Sequence, residues 1–198
     1  MSRYVGPKCR LCRREGEKLF LKGERCLGEK CALTRKQQPP GVVGRSRRRP
    51  TEYSFQLREK QKAKRMYGLL EAPFRRLFQE ARKQTESTGT ALLSFLERRL
   101  DNAIYRLGLA SSRAQARQRV LGKTFAVNGR MVTSPSYRVR AGDKITLLKE
   151  TIARSEKDLP GWLSWDGKKR EGLVTGTPDT QELETTLDTS LIVEFYSR

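Results

Sequence analysis

Positive charge constrains this chain more than any other feature of its sequence. Its 198 residues carry 42 Lys and Arg against 22 Asp and Glu, a formal net charge of +20, and only 36% of them are hydrophobic. A compact chain this basic repels itself unless an anionic partner neutralises it, so nucleic acid or an acidic membrane surface is the expected partner. The excess is uneven. Residues 1–90 hold 24 basic against 9 acidic side chains, residues 91–150 hold 12 against 4, and residues 151–198 hold 6 against 9. The polyanion-facing surface is therefore expected in the first three quarters, and the stretch from Glu171 to Ser197, which has no Lys or Arg, is expected to face solvent or a basic protein partner. No apolar run approaches the ~18 residues of a membrane span, and residues 1–10 lack a signal-like apolar stretch. The expectation is a cytoplasmic protein with no membrane partner. The chain has no histidine, which removes Ser-His-Asp and Cys-His catalysis and histidine-ligated metal enzymes.

All four cysteines fall within the first 31 residues, as Cys9-x2-Cys12 and Cys26-x4-Cys31. Two close pairs separated by a short loop can present four thiolates to one tetrahedral ion. Lys8, Arg10, Arg13, Arg14, Arg25 and Lys30 flank the sulfurs and favour thiolates. The reading is one structural zinc ion, closed by four protein ligands. An iron–sulfur cluster fits four cysteines too and ranks second. Two disulfides or four free thiols are the alternatives, disfavoured in a reducing compartment.

Further along, Arg45, Arg47, Arg48 and Arg49 follow Gly41 and Gly44, where backbone can approach phosphates and guanidinium forks can grip them. Thr51 is placed to cap a helix carrying Arg58, Lys60, Lys62, Lys64 and Arg65, with Tyr53, Leu57 and Met66 as apolar anchors. Glu52 and Glu59 are the local acids available to balance these bases, so the helix is read as phosphate-binding. In the next helix Phe74, Leu77, Phe78 and Ala81 form a core stripe at helical spacing, leaving Arg75 and Arg76 off it.

Leu93, Leu96, Leu100, Ala103, Ile104 and Leu107 read as one helix's buried face, stopped at Gly108. Ser112 to Gln115 matches a capping box opening a helix with Arg113 and Arg117 on one face. Asn128-Gly129 between apolar runs signals a hairpin, and Lys144–Leu148 reads as a third strand. Arg98, Arg99, Arg113, Arg117, Arg119, Lys123 and Arg130 are expected along one edge, and Arg98 is expected to pair with Asp101. The final run, Leu191-Ile-Val193 with Phe195, reads as strand-like and is expected to pack on the N-terminal helices.

Glu97-Arg-Arg-Leu-Asp-Asn102, the run from Leu107 to Gln118, and Val127-Asn-Gly129 resemble the alpha-L RNA-binding motif. That motif alone implies structured RNA. The opening Met1 to Pro7, the four cysteines, Gln56 to Lys62, Arg65-Met-Tyr-Gly68 and the closing Leu191 to Arg198 extend the likeness over nearly the whole chain. Together they resemble the family of bacterial small-subunit ribosomal proteins conventionally numbered four, in its four-cysteine zinc-binding form. The resemblance implies an α+β fold in three parts. Residues 1–45 are a four-cysteine zinc module and basic loop. Residues 46–91, completed by 187–198, are a helical rRNA-binding domain. Residues 92–186 are an inserted alpha-L domain of two helices and a small antiparallel sheet, with a C-terminal extension. It also implies binding to the 5′ domain of 16S-type rRNA, nucleation of subunit assembly, neighbours in ribosomal proteins five and three, a place where mRNA enters the subunit, and influence on decoding accuracy. Arg3, Tyr4, Gln115 and Asn128 join the basic residues above as expected RNA contacts. The sequence departs from the family's pattern where histidines are common, reading Val42-Val43 and Leu121-Gly-Lys123.

Two other classes are weaker. An RNA-modifying enzyme with an alpha-L domain needs a separate catalytic domain, and residues 151–198 are too few for one. A zinc-finger DNA binder needs a helix reading base edges, whereas here the bases spread over three segments, which suits shape recognition of folded RNA. No catalytic residue and no small-molecule substrate are expected.

Overall fold

The computed structural model describes residues 3–41, 49–149, 152–155, 158–179 and 186–198. They form two compact units, one of residues 1–89 with 186–198 and one of residues 90–185.

The first unit is helical. Helix α1 (Lys8–Glu15) ends at Gly16, whose φ of +75° supplies the left-handed cap that glycine adopts without a Cβ penalty. A 3-10 turn at Gly23–Cys26 and the single-turn helix α2 (Ala32–Arg35) follow. Helix α3 (Glu52–Met66) starts at Thr51, whose hydroxyl accepts from the Ser54 amide, as the sequence predicts. Helix α4 (Glu71–Ala81) buries Phe74, Phe78 and Ala81, and Pro73 lies in its first turn, where no intrahelical N–H is required.

The chain ends in helix α8 (Thr189–Ser197), between which and α4 lie the elements of the second unit. Here the strand-like reading of residues 191–195 is corrected. Leu191, Ile192 and Val193 favour strand by composition, but tertiary packing decides. Asp188 caps the helix by accepting from the Ser190 and Leu191 amides. Helical spacing then drives Ile192 into the core and sets Phe195 against Tyr53, with ring centroids 5.7 Å apart. Tyr196 reaches Phe78 at 4.5 Å and Phe74 at 6.4 Å.

The second unit takes in helices α5 (Thr88–Glu97, beginning just before the unit boundary), α6 (Leu100–Arg106) and α7 (Arg113–Leu121). The apolar faces of α6 and α7 meet a five-stranded antiparallel sheet of order β2-β1-β3-β5-β4. Strands β1 (Phe125–Val127) and β2 (Arg130–Met131) flank the Asn128-Gly129 turn, where both residues have positive φ, +51° and +76°, the geometry of a hairpin turn whose twist matches its strands. Strand β3 is Lys144–Leu147, and β4 (Leu163–Asp166) and β5 (Glu171–Val174) add a second hairpin that sequence reading did not resolve. Leu100, Ile104, Leu107, Val120, Phe125 and Ile145 anchor the core.

The single helix read through residues 93–107 is in fact two. Arg99 is extended, with ψ of 138°, and bridges to Arg138. The loop before β3 supplies the reason. Val139 donates to the Arg98 carbonyl at 2.9 Å, and Tyr137 and Pro135 carbonyls accept from the Leu100 and Asp101 amides at 2.8 and 3.2 Å. The start of α6 is capped by backbone from another segment, a signal with no local sequence trace.

Gly108 terminates α6 at φ +76°, and a Cβ there would lie 2.6 Å from the Ser155 carbonyl oxygen. Both conformation and space require glycine at this position.

Candidate nucleic-acid interface

The basic side chains divide into those the fold consumes and those it presents. Helix α3 belongs mostly to the first group. Arg58 and Arg65 share the Glu15 carboxylate. Lys60 and Lys64 clamp Glu71 at 3.0 and 2.9 Å. Lys62 bonds Glu17 at 2.8 Å and Glu59 at 3.2 Å, and donates to the Thr186 carbonyl. Lys60 also sits 4.1 Å from the Phe195 ring centroid, a cation–π contact that ties α3 to α8. Lys60 and Lys62 are buried. The sequence reading placed both on the RNA face; in the structure both are seated against carboxylates, because Glu15, Glu17 and Glu71 from outside the helix add to Glu52 and Glu59.

The electrostatics follow from that burial. Desolvation pushes the Glu15 carboxyl upward, opposed by Arg65 and Arg58. Burial raises Glu59 as well, against the Lys62 bond. Burial would also raise Glu71, but hydrogen bonds from Lys64, Lys60 and Tyr196 outweigh it and hold the group at about 2. Tyr196 donates its hydroxyl to Glu71 at 2.8 Å, and burial together with that bond raises its own titration well above the usual phenol range.

A second neutralised cluster lies in the α5–α7 unit. Glu97 is fully buried and receives Arg106 Nε and Nη2 at 2.9 and 3.1 Å, Asn102 Nδ2 at 2.8 Å, and Arg113 Nη2 at 3.7 Å. Asp101 receives Arg99 in a two-bond fork at 3.1 and 2.8 Å and Arg117 at 3.5 Å. The expected Arg98–Asp101 pair is thus replaced by Arg99–Asp101, since the extended backbone at Arg99 turns its side chain inward. Arg99, an expected RNA contact, is buried. Arg98 donates instead to the Val139 carbonyl at 2.9 Å, and Arg119 to the Leu109 carbonyl. Gln115 accepts from the Ser111 amide and hydroxyl, one residue earlier than a standard capping box, while Ser112 accepts from the Gln115 amide. Asn128 bonds Asp143 and the Lys144 amide, so its amide shapes the hairpin.

The presented group remains. Arg75 and Arg76 on α4, Arg49 and Tyr53 at the start of α3, Tyr4 near the N-terminus, and Lys123 and Arg130 beside the first hairpin are all exposed. Arg3, Arg113 and Arg117 are partly exposed. Arg45, Arg47, Arg48, Val42 and Val43 lie outside the described residues.

The four cysteines line one small cavity together with Lys22, Arg25, Ala32 and Leu33, and no disulfide joins them. Backbone N–H groups point at the sulfurs. The Lys22 amide donates to Cys26 Sγ at 3.3 Å. Burial raises Cys12, opposed by the Leu19 amide and reinforced by the other three cysteines. Burial acts the same way on Cys31, but the Thr34 and Leu33 amides, the Thr34 hydroxyl and Lys18 together lower it. Among the described residues no group of three or more His, Cys, Asp or Glu is gathered closely enough to hold a metal ion as it stands.

Residues 3–97 match the family described as "Ribosomal protein S4/S9 N-terminal domain", and residues 98–145 match the "S4 domain". Among characterised proteins, the chain is 51% identical to "Small ribosomal subunit protein uS4A" of Symbiobacterium thermophilum, 53% to "Small ribosomal subunit protein uS4" of Halothermothrix orenii, and 49% to that of Thermus thermophilus, in each case over 100% of both chains.

Proposed function

The chain belongs to the S4 family of small-ribosomal-subunit proteins, structural RNA-binding components rather than enzymes, and on that premise we propose that it binds the 5′ domain of 16S-type rRNA early and nucleates assembly of the subunit body. The observation that carries this reading is full-length identity near one half to small-subunit proteins. The physical support is the division just described. The fold spends most of its buried cations on internal carboxylates, and exposed cations such as Arg75, Arg76, Lys123 and Arg130 are placed to meet phosphates. Dispersed exposed arginines on rigid helices and a hairpin suit a folded RNA's shape better than a duplex groove. The test is retention on a 5′-domain rRNA transcript against duplex DNA at matched salt. With six or more phosphates neutralised, log affinity should fall with log salt at a slope steeper than about −4; a slope near zero sinks the reading.

The same proposal extends to ribosomal proteins five and three as neighbours, to a position where mRNA enters, and to decoding accuracy. Loss of accuracy in a stop-codon readthrough reporter, produced by variants that still assemble, tests the last of these.

Zinc is proposed as the ion of the four-cysteine module. Cys9, Cys12, Cys26 and Cys31 would hold it, and the ion would supply folding free energy to a segment whose apolar content cannot. Support comes from the donor set, its shared cavity, and the amides aimed at Cys12, Cys26 and Cys31, which favour thiolate over thiol. Elemental analysis of native protein decides between zinc, iron and no metal.

A further inference from the structure

The loop between α1 and the 3-10 turn holds a side chain that neither the fold nor the function so far employs. Phe20 has a φ of +49°, the left-handed region in which a Cβ crowds the following carbonyl oxygen. Gly16 and Gly23, on either side of it, take positive φ with the residue that this conformation favours. Position 20 carries a phenylalanine instead, and a backbone outlier of this kind points to a use for the side chain.

The core does not supply that use. Phe74, Phe78, Phe95 and Phe125 are buried, whereas Phe20 is 41% exposed. Tyr53, of comparable exposure, has its ring engaged by Phe195 at 5.7 Å and Arg198 at 5.9 Å. Phe20 has no ring or cation partner among the described residues. Its neighbours in the chain are nevertheless fixed. Leu19 is buried, and the Lys22 amide donates to Cys26 Sγ at 3.3 Å. The ring is thus presented from a backbone anchored on both sides, so little ordering entropy is lost when something covers it. Lys18, Lys22 and Arg25 are exposed nearby in the chain, with Glu24 the one acid between residues 18 and 25. An open aromatic ring among cations is the combination that unpaired RNA uses, its base on the ring and its phosphates on the cations.

We propose that Phe20 is a stacking platform for an unpaired rRNA base, with Lys18 and Lys22 meeting the phosphates beside it. The proposal rests on the rRNA-binding reading and adds to it a base contact within the cysteine-bearing segment.

The test uses the full-length protein and a 5′-domain rRNA transcript in a filter-binding series across salt. Phe20→Leu keeps apolar bulk and loses the π face. It should weaken binding about tenfold at every salt concentration, with the log–log slope unchanged because no charge is removed. Phe20→Trp should bind at least as tightly as the parent. Its fluorescence should be quenched by the transcript beyond the change shown by the parent, whose Trp162 and Trp165 supply the background. Thermal unfolding of Phe20→Leu should match the parent; if it falls, the quenching of Phe20→Trp decides alone. If the parent binds and a folded Phe20→Leu matches it, or if Phe20→Trp shows no added quenching, the platform does not exist. A Phe20→Leu variant that binds rRNA as the parent does but enters subunits poorly would assign the ring to a protein neighbour and overturn the proposal. Failure of the parent to bind overturns this platform together with the reading beneath it.

Discussion

Glu97→Ala is the substitution expected to do most damage for its size. Its carboxylate has no solvent exposure and accepts three hydrogen bonds between 2.8 and 3.1 Å, with a further guanidinium at 3.7 Å. Removing one partner of a buried pair costs about 3–5 kcal/mol, because the other charge is stranded. The stranded cations here, Arg106 and Arg113, are 21% and 13% exposed in their side chains, so water recovers part of the loss and places the cost near the lower end, about 3 kcal/mol. A unit of roughly 100 residues loses about 4–8 °C of Tm per kcal/mol, so its transition should fall by roughly 12–24 °C. Calorimetry can follow this transition against that of the helical unit, which should hold its place. Arg106→Met alone should cost less, since it leaves Glu97 bonded to Asn102 and Arg113, and the double variant should show coupling of about 2 kcal/mol. A Tm change under about 4 °C for Glu97→Ala would refute the claim that this carboxylate organises the helix pair.

Glu71 predicts acid sensitivity at the α8 contact. Its folded titration is held at about 2 against an ordinary 4.5, so its stabilisation is complete above pH 4.5 and lost as pH falls toward 2. The full shift corresponds to ~3 kcal/mol, discounted by solvent screening to about 1.5 kcal/mol because the side chain is 45% exposed; Tyr196→Phe should move the loss to higher pH, read by tyrosine and near-ultraviolet signals. Gly108→Ala should destabilise the second unit by about 3 kcal/mol, through φ strain and the contact with the Ser155 carbonyl, in urea titration. Chelation, or Cys26→Ser, should melt the segment up to about residue 35 while leaving the α5–α7 unit folded, seen as selective loss of amide exchange protection.

Local signals were readable and remote ones were not. Thr51 and Ser112 cap their helices as expected because a cap is decided within three residues. Asn128-Gly129 makes its hairpin because the turn chemistry lies in two residues. The ion pairs of the α3 cations were not legible because most of their carboxylates, Glu15, Glu17 and Glu71, come from outside the helix. Composition favoured strand for residues 191–193, yet α8 is a helix because its surroundings on α3 and α4 select one face of it. The break at Arg99 depends on a loop about forty residues downstream. The four cysteines line one cavity, which their paired spacing alone could not establish.

The docking of α8 on α3 also sets an order of events during synthesis. Gln56 donates to Glu194 and Lys62 to the Thr186 carbonyl, contacts whose partners are made more than a hundred residues apart. The first unit therefore cannot complete its core until residues 186–198 have been made, whereas residues 90–185 are contiguous and can fold on their own schedule. Until then Phe74, Phe78 and Ala63, which are buried in the finished unit, stand open on a highly charged nascent chain, and aggregation is held off by the charge. The carboxy terminus is thus the kinetic latch of the amino-terminal unit, and truncation there should show first in refolding yield.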